Sequence, residues 1–253
     1  GLVYLPHKVI AIFAFSLIAG HNLFDGLQPD QFAGLGWLWT ILHVPGIIEY
    51  LPGYSLNVLY PLIPWIAIMA AGNCMGPLFL ETVEVRQKRF VLIGTTAIVL
   101  FLMLRISNIY GDPQPWATQK DAILTVFSIL KCEKYPPSLL YLLMTLGPMF
   151  LTLALFESNK TNWFGSLLVG FGKAPLLFYI IHIYLIHGAA YLVTLWRGLD
   201  ADWLRQGTPN MPFPEMAAPE YGFDLIVVYA IWLVLLAVLY PICYAYNHRG
   251  KAA

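Results

Sequence analysis

The chain has 253 residues, of which 59% are hydrophobic and only 11% charged, and its formal net charge is zero. Soluble domains carry about 25% charged residues, so the composition excludes an ordinary soluble protein and indicates a polytopic membrane protein. The zero net charge argues against a nucleic-acid-binding surface. Cys74, Cys132 and Cys243 show no disulfide or zinc spacing, and we expect all three to be structural.

Six apolar runs are each long enough to cross a bilayer, which takes about 20 helical residues. The sequence therefore predicts an all-α bundle of about six transmembrane helices, forming one transmembrane domain over 1–253. The second run contains Pro61, Pro64 and Pro77, and we expect a kink or an unwound turn there. Segment 32–50 is apolar but interrupted by Gly and Pro, so we expect it to be interfacial or re-entrant. The six runs are 8–24, 57–80, 89–106, 137–156, 174–196 and 223–246.

The basic residues of the loops set the expected orientation. With residue 1 in the cytoplasm, eight Lys and Arg residues fall on the cytoplasmic side and six on the other, and the tightest cluster lies at 86–89. An excess of Lys and Arg marks the cytoplasmic side of membrane proteins. The long loops 25–56, 107–136 and 197–222 then lie outside, and long loops are where functional sites concentrate.

Two histidines interrupt the apolar stretch FYIIHIYLIH. An ionisable residue inside a membrane segment is a functional-site hypothesis by default. His182 and His187 are five residues apart, which separates them by about 140° around a helix, so they are not a metal pair. His182 is expected to make an interhelical hydrogen bond or to contact a substrate. His187, nearer the outer face, is a catalytic candidate, with a structural role as the alternative.

Polar residues also gather where the helices meet the outer loops. In GHNLFDG, His21 and Asp25 have the types and spacing of a general base oriented by a carboxylate, although an ordinary helix end explains the same letters. In RISNIYGDPQPW, Arg105 is expected to be a snorkelling anchor or a grip on an anionic ligand. The other substrate-binding candidates at this face are Asn22, Asn108, Asp112 and Lys134, the last with helix capping as its alternative role.

Several longer stretches together resemble one protein family: LIAGHNLFDG, YPLIPWIAIMAAG, ISNIYGDPQPW, KYPPSLLYLLMTLGP and FGKAPLLFYIIHIYLIH. In this order, over residues 1–246, the chain is similar to bacterial membrane proteins related to heparan-alpha-glucosaminide N-acetyltransferase, within the transmembrane acyltransferase superfamily. The resemblance implies an acyltransferase of the bacterial inner membrane. Such an enzyme would pass an acetyl group from cytoplasmic acetyl-CoA to a sugar or cell-envelope acceptor on the outer side.

The resemblance also implies roles for particular residues. Acyl transfer needs a base for the acceptor, expected of His21 or His187, and cations for the CoA phosphates, expected of Arg86, Arg89 and Lys173. Lys173 is alternatively a cytoplasmic anchor. Acetyl-CoA would be the donor substrate, and neither a metal nor a haem is expected. The catalytic histidine of the family lies in opening helices whose pattern this sequence lacks. It is therefore assigned to no position here, and we expect the chain to be the C-terminal part of a larger helical domain.

A second interpretation makes the chain a non-catalytic subunit that scaffolds a larger membrane complex. A transporter or haem protein is disfavoured, because no haem-attachment motif occurs and His182 and His187 point in different directions. The expected partners are membrane lipids, acyl-CoA and a sugar acceptor. A second copy of the chain or other membrane subunits are further expected partners, and nucleic acid is not.

Overall fold

The structure is a computed structural model that describes residues 2–157, 163–202, 204 and 222–249. Within these residues the chain is mostly helical, with nine α-helices and one two-stranded sheet. It divides into two compact units, Gly1–Asn159 and Lys160–Ala253. A single transmembrane domain over the whole chain stays a prediction. The predicted outer loop 197–222 lies mostly outside the described residues.

The first unit contains six helices and the hairpin. They are α1 (His7–Gly20), α2 (Gly36–Leu42), β1 (Gly46–Leu51), β2 (Tyr54–Val58), α3 (Leu62–Cys74), α4 (Val83–Ser107), α5 (Ala122–Leu130) and α6 (Leu139–Glu157). The second unit contains α7 (Trp163–Gly172), α8 (Pro175–Trp196) and α9 (Leu225–Arg249). Two single-turn 3-10 segments extend the first unit's helices, His21–Phe24 after α1 and Gly76–Leu80 after α3.

Six helical segments of the described chain are long and apolar enough to cross a membrane, and they coincide with the six predicted runs. They are His7–Phe24, Leu62–Leu80, Val83–Ser107, Leu139–Glu157, Pro175–Trp196 and Leu225–His248. The expected kink in the second run is present, because Ile63 has non-helical backbone angles of −89° and 128° immediately before Pro64.

The hairpin β1–β2 corrects the all-α expectation for residues 46–58. The sequence GIIEYL-PG-YSLNV places β-branched and aromatic residues on either side of a Pro-Gly turn, which is a hairpin pattern. Gly53 has a φ of 80°, as the third position of a type II turn requires. Residues 32–50 thus form the short helix α2 and strand β1 rather than a spanning helix. Re-entry of this segment into a membrane stays a prediction.

Small residues bring the helices of the first unit into contact. Helices α4 and α6 cross at Gly94 and Gly147, where a Cβ on Gly94 would lie 2.8 Å from the Gly147 carbonyl oxygen. Helices α1 and α3 meet through a buried cluster of Ile10, Ala14 and Ala70. Small residues at such crossings let helix backbones approach closely, as is typical of membrane helix pairs.

In the second unit α9 packs on α7 and α8. The Asn247 side chain donates a 2.7 Å hydrogen bond from Nδ2 to the Gly170 carbonyl oxygen, and the Phe171 and Tyr240 rings meet edge to face at 5.5 Å. Phe171 also contacts Phe178 at the start of α8. These contacts join α9 to the end of α7, and Phe171 joins that end to the start of α8.

Candidate functional site

One group of polar residues lies together at the end of the first unit where α1 and α4 end and α6 begins. The 3-10 turn after α1 carries His21, Asn22 and Asp25 towards the segment before α6. His43 follows the last residue of α2 and reaches the same place. Three stretches far apart in sequence therefore supply one site.

His21 is completely buried and bridges two parts of the chain. Its Nδ1 lies 2.9 Å from the Ile18 carbonyl oxygen, and its Nε2 lies 3.0 Å from the Pro137 carbonyl oxygen. Carbonyl oxygens only accept hydrogen bonds, so each nitrogen faces a group to which it can only donate. The contact fastens the end of α1 to the start of α6. The expected role of His21 as a base stays a prediction, and it requires one of these contacts to open.

Asp25 instead makes its histidine contact with His43. The Nε2 atom of His43 lies 3.1 Å from Oδ1 of Asp25, and Nδ2 of Asn22 donates to Oδ2 of Asp25 at 2.8 Å. Oδ1 of Asn22 accepts a 2.9 Å hydrogen bond from the backbone N–H of Leu139 in the first turn of α6. The carboxylate that the sequence pairs with His21 is thus engaged by Asn22 and by His43.

The His43 ring lies in an aromatic surround and is only 1% exposed. Trp39 lies 5.1 Å away between ring centroids, His21 6.3 Å and Phe24 6.5 Å. Trp39 is one helical turn before His43, which explains their contact. Such a surround excludes water and strengthens the electrostatic interaction between the imidazole and Asp25.

A cavity of about 200 Å³ opens beside this pair, and we call it the His43 cavity. Its lining is mixed: prolines and Val44 supply apolar surface, while side chains from three loops supply polar groups. Pockets that mix apolar walls with a few convergent polar groups are the default ligand sites of proteins. The polar side chains lining the His43 cavity are Asn22, Asp25, Gln28, His43, Glu133 and Tyr135.

Tyr135 has an unusual electrostatic environment at the cavity wall. A hydrogen bond from Lys134 lowers the pKa of the Tyr135 phenol, and the same bond raises the pKa of Lys134. The Lys134 Nζ atom lies 5.0 Å from the centroid of the Tyr135 ring, and Tyr60 meets that ring edge to face at 5.3 Å. Lys134, predicted to bind substrate, thus acts on Tyr135 in this structure.

Arg105 and Asp112 hold together the segments that carry two cavity-lining residues, Pro113 and Glu133. Arg105 is 1% exposed and donates to the backbone carbonyls of four residues in α5 and the segments that flank it. Asp112 lies 3.8 Å from the guanidinium and accepts from Ser138 Oγ at 2.7 Å and from the Glu133 N–H at 2.8 Å. The four carbonyls belong to Gln114, Ser128, Ile129 and Lys131. A direct substrate contact by either side chain stays a prediction.

Asn108 ends α4 with a left-handed φ of 52°, and its side chain holds Trp116. Its Nδ2 donates to the Trp116 carbonyl at 3.0 Å, while Oδ1 accepts from the Trp116 N–H at 3.1 Å. Both amide atoms therefore stabilise the loop after α4. The predicted substrate contact of Asn108 stays a prediction.

Two of the predicted CoA-binding cations, Arg86 and Arg89, lie near the other end of α4. Arg86, at the other end of α4, is paired with Glu157 through two contacts of 2.5 and 2.6 Å and also donates to two backbone carbonyls. Arg89 is half exposed and lies 3.5 Å from Glu81. Lys173, between α7 and α8 of the second unit, is exposed. Phosphate binding by these residues stays a prediction.

The α8 histidines take their described contacts within their own helix. His182 Nδ1 lies 3.1 Å from the Phe178 carbonyl oxygen, and the two rings stack at 5.4 Å. The Nδ1 contact of His182 thus lies within α8, and the interhelical hydrogen bond expected of His182 stays a prediction. His187 is exposed. Its catalytic role and a substrate contact by His182 stay predictions.

The sequence analysis missed His43 and the cavity residues Gln28, Glu133 and Tyr135. His43 stands in ILHVPG, within a segment read as interfacial, and no local pattern links it to Asp25 eighteen residues earlier. The available signal was Trp39 and His43 at helical spacing immediately before a Pro-Gly break. Within the described residues, no group of three or more His, Cys, Asp or Glu side chains is placed to hold a metal ion.

Comparison with protein-family models, curated proteins and solved structures finds no match to this chain.

Proposed function

We propose that this chain is a membrane-embedded acyltransferase that passes an acetyl group from cytoplasmic acetyl-CoA to a sugar or cell-envelope acceptor across the bacterial inner membrane. The observation that carries the proposal is the buried His43–Asp25 contact at the wall of the His43 cavity. A histidine oriented by a carboxylate beside a cavity is the arrangement used for general-base catalysis. The six apolar helices support placement in a membrane.

The chemistry assigns one role to each group. His43 takes the proton from the acceptor hydroxyl or amine, and the acceptor atom attacks the thioester carbonyl carbon. The C–S bond then breaks, the acetyl group stays on the acceptor, and the CoA thiolate recovers the proton from the His43 imidazolium. Tyr135, at the same cavity wall, is the hydrogen-bond donor for the carbonyl oxygen, since its lowered pKa strengthens its O–H as a donor.

The donor has to reach this cavity from the far end of α4. Arg86 and Arg105 are nineteen positions apart along α4, which is roughly 28 Å of helix and close to the thickness of the hydrocarbon layer. If Arg89 holds the CoA phosphates, the thioester arm extends along most of that distance. Arg89 makes only a half-exposed 3.5 Å contact with Glu81, which exchanges for a phosphate more easily than the Arg86–Glu157 pair does.

The test is acetyl transfer by the purified chain in proteoliposomes, with radiolabelled acetyl-CoA and a panel of glucose, glucosamine and N-acetylglucosamine. The proposal expects labelled sugar and released CoA in equal amounts. A purified chain that does not bind CoA and transfers no acetyl group to any acceptor would overturn it. If the chain binds no CoA and co-purifies with other membrane proteins at a fixed stoichiometry, the scaffold function would instead be supported.

A further inference from the structure

The orientation of the Asn22 amide follows from its contact with α6. The Leu139 backbone N–H lies 2.9 Å from the Asn22 side chain, and a backbone N–H can only donate. The atom that it meets is therefore the amide oxygen, Oδ1. The amide NH₂ of Asn22 must then point the other way, where Oδ2 of Asp25 accepts from it at 2.8 Å.

Asp25 in turn fixes which nitrogen of His43 carries the proton. An ionised carboxylate only accepts hydrogen bonds, so His43 donates from Nε2 to Oδ1 across the 3.1 Å contact. A neutral imidazole carries a single N–H, and the lone pair consequently lies on Nδ1. Among the described residues, Nδ1 of His43 is a buried nitrogen with no hydrogen-bond partner.

We propose that Asn22 is a positioning residue that acts through Asp25 to hold His43 in the Nε2–H tautomer, which leaves Nδ1 as the basic atom of the site. The relay runs from Leu139 N–H to Asn22, from Asn22 to Asp25, and from His43 to Asp25. Its effect on catalysis rests on the acyltransferase function proposed above. The tautomer itself is independent of any activity.

Exchanging the two relay side chains tests this assignment. In Asp25→Asn, the new amide has to turn its NH₂ either to His43 or to the NH₂ of Asn22. The fixed orientation of Asn22 selects the first, so His43 Nε2 becomes an acceptor and the proton moves to Nδ1. In Asn22→Asp/Asp25→Asn, the carboxylate at position 22 accepts from Leu139 and from the new amide. The amide oxygen at position 25 then accepts from His43 Nε2–H, which restores the original tautomer.

The measurement is the nitrogen chemical shift of His43 in ¹⁵N-histidine-labelled full chain in nanodiscs, with His43→Gln to assign its signals. The proposal expects an Nε2–H imidazole in the native chain, an Nδ1–H imidazole in Asp25→Asn, and Nε2–H again in the exchanged pair. An Nδ1–H tautomer in the native chain overturns it, even if Asp25→Asn does not fold. An unchanged tautomer in a folded Asp25→Asn chain also overturns it.

Acetyl transfer gives the second readout. We expect kcat to fall roughly a hundredfold or more in Asp25→Asn with little change in the KM for acceptor, since the base is present in the wrong tautomer. The exchanged pair is expected to recover at least about tenfold of that loss. If the expected tautomers are found but no acetyl transfer occurs, the relay is supported and the acyltransferase function is contradicted. Activity that stays low in the exchanged pair, with the tautomer restored, would overturn the effect of this positioning on catalysis.

Discussion

Gly94 of α4 and Gly147 of α6 cross so closely that neither position has room for a side chain. A Cβ on Gly94 would lie 2.8 Å from the Gly147 carbonyl oxygen, and a Cβ on Gly147 would lie 2.7 Å from Cγ1 of Ile98. The His43 cavity lies at the end of this helix pair, because the relay begins in the first turn of α6. The crossing therefore supports the site as well as the fold.

We expect Gly94→Ala to lower the melting temperature of the purified chain in detergent. The added methyl group meets the Gly147 backbone as well as the Leu151 side chain, and overpacking of this kind costs about 1–3 kcal/mol. Gly72→Ala in α3 is the matched control, since nothing lies within 4 Å of its added Cβ and alanine favours the helix. Equal melting temperatures for Gly94→Ala and Gly72→Ala would contradict the close crossing.

Arg105 is expected to be indispensable for folding of the loop around α5. Lysine has three donors on one atom and cannot reach four separated carbonyls, so Arg105→Lys leaves at least one buried carbonyl oxygen without its donor. Leaving a buried carbonyl without its donor costs about 1–3 kcal/mol, which thermal unfolding detects. The half-exposed Arg89 provides the control, and Arg89→Lys should leave the transition almost unchanged. A similar small effect at both positions would rule out this stabilising role of Arg105.

The thiol of Cys132 should react slowly in the folded chain. Burial raises its pKa to about 11 from an ordinary value of 9.0, so the reactive thiolate is suppressed until the solution is strongly alkaline. At pH 8.5 we expect alkylation by iodoacetamide, followed at Cys132 by mass spectrometry, to be roughly tenfold slower than in the denatured chain. The rate should keep rising towards pH 11 while the fold persists. A rate that levels off near pH 9 would contradict the buried environment.

Arg86 and Glu157 should stabilise the chain as a pair. Their two side-chain contacts join the start of α4 to the end of α6, so Arg86→Ala and Glu157→Ala should each lower the melting temperature. The double variant should lose less than the two single losses together, because the second change removes a partner that is already gone. Additive losses would show that the pair is not coupled. A raised KM for acetyl-CoA in Arg86→Ala would support the predicted role of Arg86 as a phosphate ligand.

The sequence predicted the helices well because their signal is local. The length and composition of each apolar run are enough to predict a spanning helix. The prolines at 61, 64 and 77 mark the break in the second run. The hairpin was missed because GIIEYL was read as part of one apolar segment. Its period-two pattern and its Pro-Gly turn carried the correct information.

The site was less predictable because its contacts join distant residues. His21 and Asp25 are close in sequence, yet Asp25 pairs with His43, and Asn22 is oriented by Leu139 more than a hundred residues later. The sequence predicts an interfacial anchor at Arg105, whereas in the structure its guanidinium donates to backbone carbonyls of α5. Spacing along one helix does not report such partners, which follow only from tertiary packing.

The most direct test of the proposed function is the rate of CoA release from acetyl-CoA by His43→Gln in the presence of the sugar acceptor that the native chain uses. Glutamine keeps much of the polar volume but has no basic nitrogen, so we expect the rate to fall roughly a hundredfold or more. The exposed His248→Gln serves as the matched control and should retain the native rate. A His43→Gln chain that melts at the native temperature and transfers acetyl groups at the native rate would contradict the central claim.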